Sequence, residues 1–132
     1  MSERLITVRS QISHERSLRE MRFVWMVAIQ QTDCELVMVT IEGAGKVDFY
    51  SRVWSPWHGV GEDPVTGSAY TVLTPFWNKV RKDVFDEAGV GPYLNARQAS
   101  DRDGDLRCRV VGDRVEISGK AVTYLTGEIF VP

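Results

Sequence analysis

Ala69, Val72, Leu73, Phe76, Trp77 and Val80 fall at i, i+3, i+4, i+7, i+8 and i+11, the spacing of one broad apolar face on a helix. Tyr70 widens that face. A helix so apolar along one side has to be covered, and the rest of the chain offers strand-like runs to cover it. Residues 35–41 and 47–54 are rich in β-branched and aromatic side chains and flank a turn with Gly43 and Gly45, which predicts a hairpin. Residues 94–99, 105–111, 114–118 and 121–125 have the same propensity, separated by Gly and Asp clusters. About six strands bracketing one hydrophobic helix predict an α+β fold whose sheet curls around that helix.

Two features modify this outline. Pro75 sits within the helical window, and its missing N–H and its ring predict a bend near Val72. Leu18, Met21, Val24, Trp25 and Ala28 recur at helical spacing, which predicts a further helix over residues 17–31. The first dozen residues are polar and weakly patterned, so residues 1–16 read as a variable start with disorder expected, and residues 17–132 as a single lobe. Residues 81–92 are charged and read as a frayed helical turn followed by a loop.

Composition excludes several functions. At 132 residues, 43% of them hydrophobic, the chain can bury one core without disulfides or metal. The net charge of -2, with both signs interspersed, leaves no basic stripe for nucleic acid. The apolar stretch at residues 23–29 is too short to cross a bilayer, and the first residues lack a secretory pattern, so no membrane partner and a cytoplasmic location are expected. Cys34 and Cys108 form no Cys-x-x-Cys pair and no His stands at metal-ligand spacing, so packed, reduced thiols and no metal are expected. The turn with Asp101, Asp103 and Asp105 lacks the spacing and terminal Glu of a calcium loop and reads as a solvated hairpin turn.

Chemistry concentrates just before the apolar helix, in Glu62, Asp63, Pro64, Val65, Thr66, Gly67 and Ser68. A helix start exposes unpaired N–H groups and partial positive charge, which together hold carboxylates and other anions. Gly67 lets a ligand approach the backbone. The same residues also suit a structural role: Asp63 or Thr66 as helix cap, Pro64 to set the entry turn, Gly67 and Ser68 small for packing. Capping and binding are compatible, because a loop mouth with a spare carboxylate and hydroxyl is also where acid–base groups are useful.

Three stretches, residues 48–57, residues 59–69 with their Asp63, Pro64, Val65, Thr66, Gly67 and Ser68 core, and residues 75–77, resemble the signature of the phenazine-biosynthesis-like (PhzF-like) family. Residues 96–100, 104–106 and 112–119 are similar to that family's closing strands. The resemblance implies the C-terminal lobe of a diaminopimelate-epimerase-like fold, in which two similar lobes each wrap strands around a central helix and the active site lies between them. It implies a cofactor-independent isomerase that moves a proton on a small, carboxylate-bearing substrate; the best-known member isomerises a cyclohexadiene acid on the way to phenazines.

Carried over by position, Asp63 would assist proton transfer or orient the reacting group, while Gly67 and Ser68 would hold the substrate through backbone N–H and hydroxyl. Arg52 is a further substrate-binding candidate, with a structural ion pair beneath the loop as its other reading, and Trp54 and Trp57 would wall the cleft. In thiol-dependent relatives of the fold a Cys stands where Asp63 falls, so neither Cys34 nor Cys108 inherits that role.

Two departures from the pattern stand out. Tyr70 occupies a position where the family often has His, and His58, a loop residue, does not replace it. The family's N-terminal lobe, with its Gly-His-Ala-Thr segment and main acid–base Glu, has no counterpart here. The expected partners are accordingly a small carboxylate substrate and either a second copy or a missing N-terminal lobe. The rival reading is a non-catalytic interaction or small-molecule-binding module that keeps the fold.

Overall fold

The computed structural model describes residues 5–9, 15–20, 36–59 and 61–131; of Leu5–Arg9 and Trp57 the backbone alone is described. In chain order the elements are β1 (Leu5–Arg9), α1 (Glu15–Glu20), β2 (Leu36–Glu42), β3 (Phe49–Trp54), a 3-10 turn (Pro56–His58), α2 (Ala69–Arg81), β4 (Leu94–Gln98), β5 (Gly104–Val111) and β6 (Arg114–Gly119). Together the strands form one six-stranded sheet in the order β1-β2-β3-β4-β5-β6.

Strand order follows chain order, yet two neighbouring pairs are parallel: β1 with β2 and β3 with β4. Parallel neighbours need a crossover, and α1 and α2 lie on the two crossovers. Because β2 and β3 are antiparallel, the second crossover starts from a strand running the opposite way, so a common right-handed sense puts the two helices on opposite faces. That is where they pack. Met38, Phe49, Val53, Leu94, Ala96, Leu106 and Cys108 meet Ala69, Tyr70, Leu73 and Trp77 of α2 on one face. On the other, Val37, Val39, Ile41, Tyr50, Trp54 and Ala99 meet Leu18 of α1.

Burial on both faces explains the near-continuous apolar run of β2 and the complete burial of β3, where a one-sided sheet would alternate. With Val115 and Ile117 of β6 packed at its margin, the α2 cluster draws on five strands. Five strands span about 19 Å at ~4.8 Å spacing, wider than the ~10 Å of a helix, so the sheet has to curve to bring them to α2. The expected α+β arrangement around a central helix is therefore present.

Several details differ from the sequence-based expectations. Leu5–Arg9, placed in the variable start, forms β1 and pairs in register with β2 from Leu5 opposite Leu36 to Arg9 opposite Thr40. A short strand on a sheet edge needs backbone partners more than an apolar face, which is why patterning missed it. Glu15 and Arg16 likewise open α1. Of the helix expected over residues 17–31, residues 17–20 fall in α1 and the rest, like Cys34, lies outside the described residues. Conversely, residues 121–125 are not a strand: strand propensity acts only where a partner is available, and this segment runs exposed beyond β6.

Pro75 leaves α2 continuous from Ala69 to Arg81. It stands on the exposed side, and the carbonyl left without its donor belongs to Thr71, which is exposed to solvent. The Asp101 to Asp105 stretch is the β4–β5 hairpin turn, with Asp103 in the left-handed region at φ 55. Cys108 is a free thiol in the α2 cluster, and burial pushes its pKa up.

A buried polar chain ties helix to sheet. Trp77 Nε1 donates to Thr40 Oγ1 at 2.8 Å, and Thr40 Oγ1 donates to the Tyr50 carbonyl at 2.8 Å. Thr40→Val preserves shape but strands the indole N–H, and is expected to cost about 1–3 kcal/mol in urea unfolding. In a double-mutant cycle with Trp77→Phe, a coupling of at least ~0.5 kcal/mol confirms the bond, and additive costs refute its importance.

Candidate functional site at the start of α2

Three anchors fix the loop between β3 and α2. The N–H of Asp63 donates to the Val53 carbonyl at 3.0 Å, which hangs the loop on β3. Ser100 Oγ donates to the Pro64 carbonyl at 2.8 Å. Gln98, fully buried at the end of β4, uses both ends of its amide: Oε1 accepts the Thr66 N–H at 2.8 Å, and Nε2 donates to the Asp63 carbonyl at 2.6 Å. Its Nε2 lies 3.2 Å from Thr66 Oγ1 as well. That hydroxyl in turn donates to Asp63 Oδ2 at 2.7 Å, and the other carboxylate oxygen has no hydrogen-bond partner among the described residues.

Neither Asp63 nor Thr66 caps α2. The N-cap is Ser68, whose side chain makes no capping bond, while the Thr66, Gly67 and Ser68 carbonyls accept from Ala69, Tyr70 and Thr71. The N–H groups of Gly67 and Ser68 donate to no acceptor among the described residues, and both residues are exposed. A Cβ placed on Gly67 would meet nothing within 4 Å. The site thus combines two open N–H groups at a helix start, a hydroxyl, and a half-buried carboxylate held by its own loop. A cavity of about 1030 Å³ opens beside Asp63, with Val65, Ala96 and Leu106 among its apolar walls and Lys46, Arg97 and Arg102 among its cations; Gly67 and Ser68 lie outside its lining.

Asp63 lines the cavity, Gly67 and Ser68 stand outside it further along the same loop, and Arg52 is turned to the other face of the sheet. Alternation along β3 turns Ser51 and Val53 toward α2 and Arg52 toward α1. Arg52 is 6% exposed, pairs with both oxygens of Glu62 at 2.7 and 2.6 Å, and donates to the Leu18 carbonyl of α1 at 3.0 Å. Its guanidinium lies 4.8 Å from the Trp54 ring centroid. Arg52 is the ion pair beneath the loop, gripping the residue before Asp63, and Trp54 is packed on the α1 face rather than walling a cleft. The side chain of Trp57 lies outside what is described.

Tyr70 points into the core, shares a 3.0 Å hydrogen bond with Ser51 Oγ, and has its pKa raised by burial. Buried and hydrogen-bonded to Ser51, the phenol is not presented to the loop. His58 is an exposed loop residue whose Nδ1 is 2.9 Å from Ser55 Oγ. Gln98 and Ser100 were not singled out from the sequence. The available signal was a polar residue on the inward register of Leu94, Ala96 and Gln98, where an apolar one is the norm. Among the described residues no group of His, Cys, Asp and Glu is placed to hold a metal ion, and no helix is long and apolar enough to cross a membrane.

Residues 5–127 match the phenazine biosynthesis-like protein family, PhzC-PhzF. The chain belongs to this family. An uncharacterized isomerase of Pseudomonas aeruginosa is 44% identical over 93 residues, covering 70% of this chain and 32% of its own length. An uncharacterized isomerase of Halalkalibacterium halodurans is 37% identical over 123 residues, covering 92% of this chain and 43% of its own length. The crystal structure of a PhzC/PhzF protein from Clostridium difficile superposes with a TM-score of 0.76 at 27% identity, over 98% of this chain and 46% of that one. The PhzF-like chain therefore spans less than half the length of these relatives. The match starts within β1, so the strand that patterning missed belongs to the family fold.

Gln98→Leu should leave the Thr66 N–H and the Asp63 carbonyl unpaired, lowering stability by about 1–3 kcal/mol. Hydrogen exchange should quicken at residues 63–66 beyond the global change, and uniform acceleration would show that Gln98 supports the core rather than the loop.

Proposed function

We propose that this PhzF-like chain supplies one wall of a cofactor-independent isomerase that moves a proton on a small carboxylate-bearing substrate, and that it does not turn over alone. The observation that carries the reading is the pairing of an open helix start at Gly67 and Ser68 with the anchored carboxylate of Asp63. In this reading the two N–H groups and the Ser68 hydroxyl hold the substrate carboxylate. Asp63, with one oxygen engaged by Thr66, orients the reacting carbon or exchanges a proton with it through the other. Isomerisation removes a proton from one carbon and returns one at another, and in this reading a group of the second wall shares that work with Asp63. Tyr70 is turned into the core, and Arg52 and Glu62 engage each other, so none of the three is offered as that group. The names of the isomerase relatives and the share of their length that this chain covers support a second wall supplied by another lobe.

Two experiments test this. The chain alone should not catalyse solvent-deuterium exchange into a candidate substrate; adding the N-terminal lobe of a PhzF-family relative should restore exchange, and Asp63→Ala should abolish it. Exchange by the chain alone that survives Asp63→Ala overturns both the residue assignment and the one-wall reading. Separately, Gly67→Val should block carboxylate binding by steric cover of the N–H groups while shifting stability by no more than about 1 kcal/mol, since the position is open and its φ is not positive. A collapse in thermal stability would make Gly67 structural.

A further inference from the structure

Gly104 opens β5 directly opposite Gln98, the residue that holds the Asp63 loop. Its φ is not positive, so the backbone does not call for glycine there. A glycine also gives a strand no side chain to pack, and its use marks a close approach by another group. That group is Val65. A Cβ built on Gly104 would collide with Cγ2 of Val65 and lie 3.1 and 3.2 Å from its Cγ1 and Cβ.

Val65 has little freedom to withdraw. The Asp63 and Pro64 carbonyls before it accept from Gln98 and Ser100, and the Thr66 N–H after it donates to Gln98 Oε1. Pro64 also fixes φ on the approach. Turning χ1 is unfavourable for a β-branched side chain and leaves its Cβ in place. A methyl group added at position 104 therefore moves the backbone of the loop. Through the 2.7 Å bond from Thr66 Oγ1 to Asp63 Oδ2, it moves the carboxylate as well.

We infer that Gly104 is a positioning residue for Asp63: the seat left by its missing side chain receives Val65 and so sets the direction of the carboxylate. Val65 keeps 42% of its surface exposed, and it lines the cavity beside Asp63 together with Gly104, so the seated side chain is also a wall of that cavity. The chemical part given to Asp63 rests on the isomerase reading, whereas the seat is a property of this chain alone. Deuterium exchange with an added lobe tests the former, and measurements without substrate test the latter, so the two failures are distinguishable.

The test uses the full 132-residue chain and three variants, Gly104→Ala, Val65→Ala and the two combined. Two signals are read by NMR at neutral pH: hydrogen exchange of the Thr66 N–H relative to that of Leu73 in the core, and the carbon resonance of the Asp63 carboxylate. In Gly104→Ala the Thr66 N–H should exchange at least ~10-fold faster relative to Leu73, with the Asp63 resonance displaced. In the Val65→Ala background the sign should reverse, because the added methyl group then falls where Cγ2 stood. The combined variant should exchange more slowly at Thr66 than Val65→Ala and bring the Asp63 resonance back toward its original position. This second comparison stands even where Gly104→Ala alone does not fold. Two results overturn the inference: a folded Gly104→Ala chain with Thr66 and Asp63 unchanged relative to the core, or a combined variant whose Thr66 N–H exchanges as fast as in Val65→Ala or faster.

Discussion

Burial of the α2 face is the constraint from which the other arrangements follow. Trp77, Tyr70 and Leu73 are fully buried, and sequestering side chains of this size stabilises by roughly 1.5–3 kcal/mol each. No single strand can cover so broad a face, so five strands contribute to it and the sheet must curve. Once the sheet wraps α2, the start of the helix is fixed relative to the ends of β3 and β4. The loop carrying Asp63 is then suspended between them.

Suspension alone would leave the loop with several conformations, and here polar burial supplies the specificity. The Gln98 amide can satisfy both the Asp63 carbonyl and the Thr66 N–H in only one loop geometry, and it is itself costly to leave unpaired. Arg52 plays a corresponding part from the opposite face, gripping Glu62 and binding α1 to the loop through the Leu18 carbonyl. Strand alternation assigns these roles: neighbouring residues of β3 serve opposite faces, one supporting Tyr70 and the other the loop entrance.

The helix start is open because no side chain caps it. A side-chain cap would occupy the donors that an anion needs, and Ser68 makes none. Thr66 instead spends its hydroxyl on Asp63, so the carboxylate is oriented by its own loop. The Tyr70 ring belongs to the core and not to this loop.

Much of this was legible in the sequence. The α2 stripe, the β2–β3 hairpin and β4 to β6 rest on local periodicity, and the loop before α2 is a short contiguous segment, which a linear reading captures. The family resemblance is likewise written in contiguous residues. Only the tertiary structure decided the rest, because each remaining point depends on a partner distant in sequence. β1 exists through its ladder with β2, residues 121–125 lack a strand for want of one, and Arg52 is assigned by which sheet face it occupies. Gln98 acquires its role from a loop more than thirty residues away, as its bonds to Asp63 at a separation of 35 and to Thr66 at 32 record. Propensity and periodicity are properties of neighbours along the chain, whereas pairing, facing and polar satisfaction are settled only when the chain closes on itself.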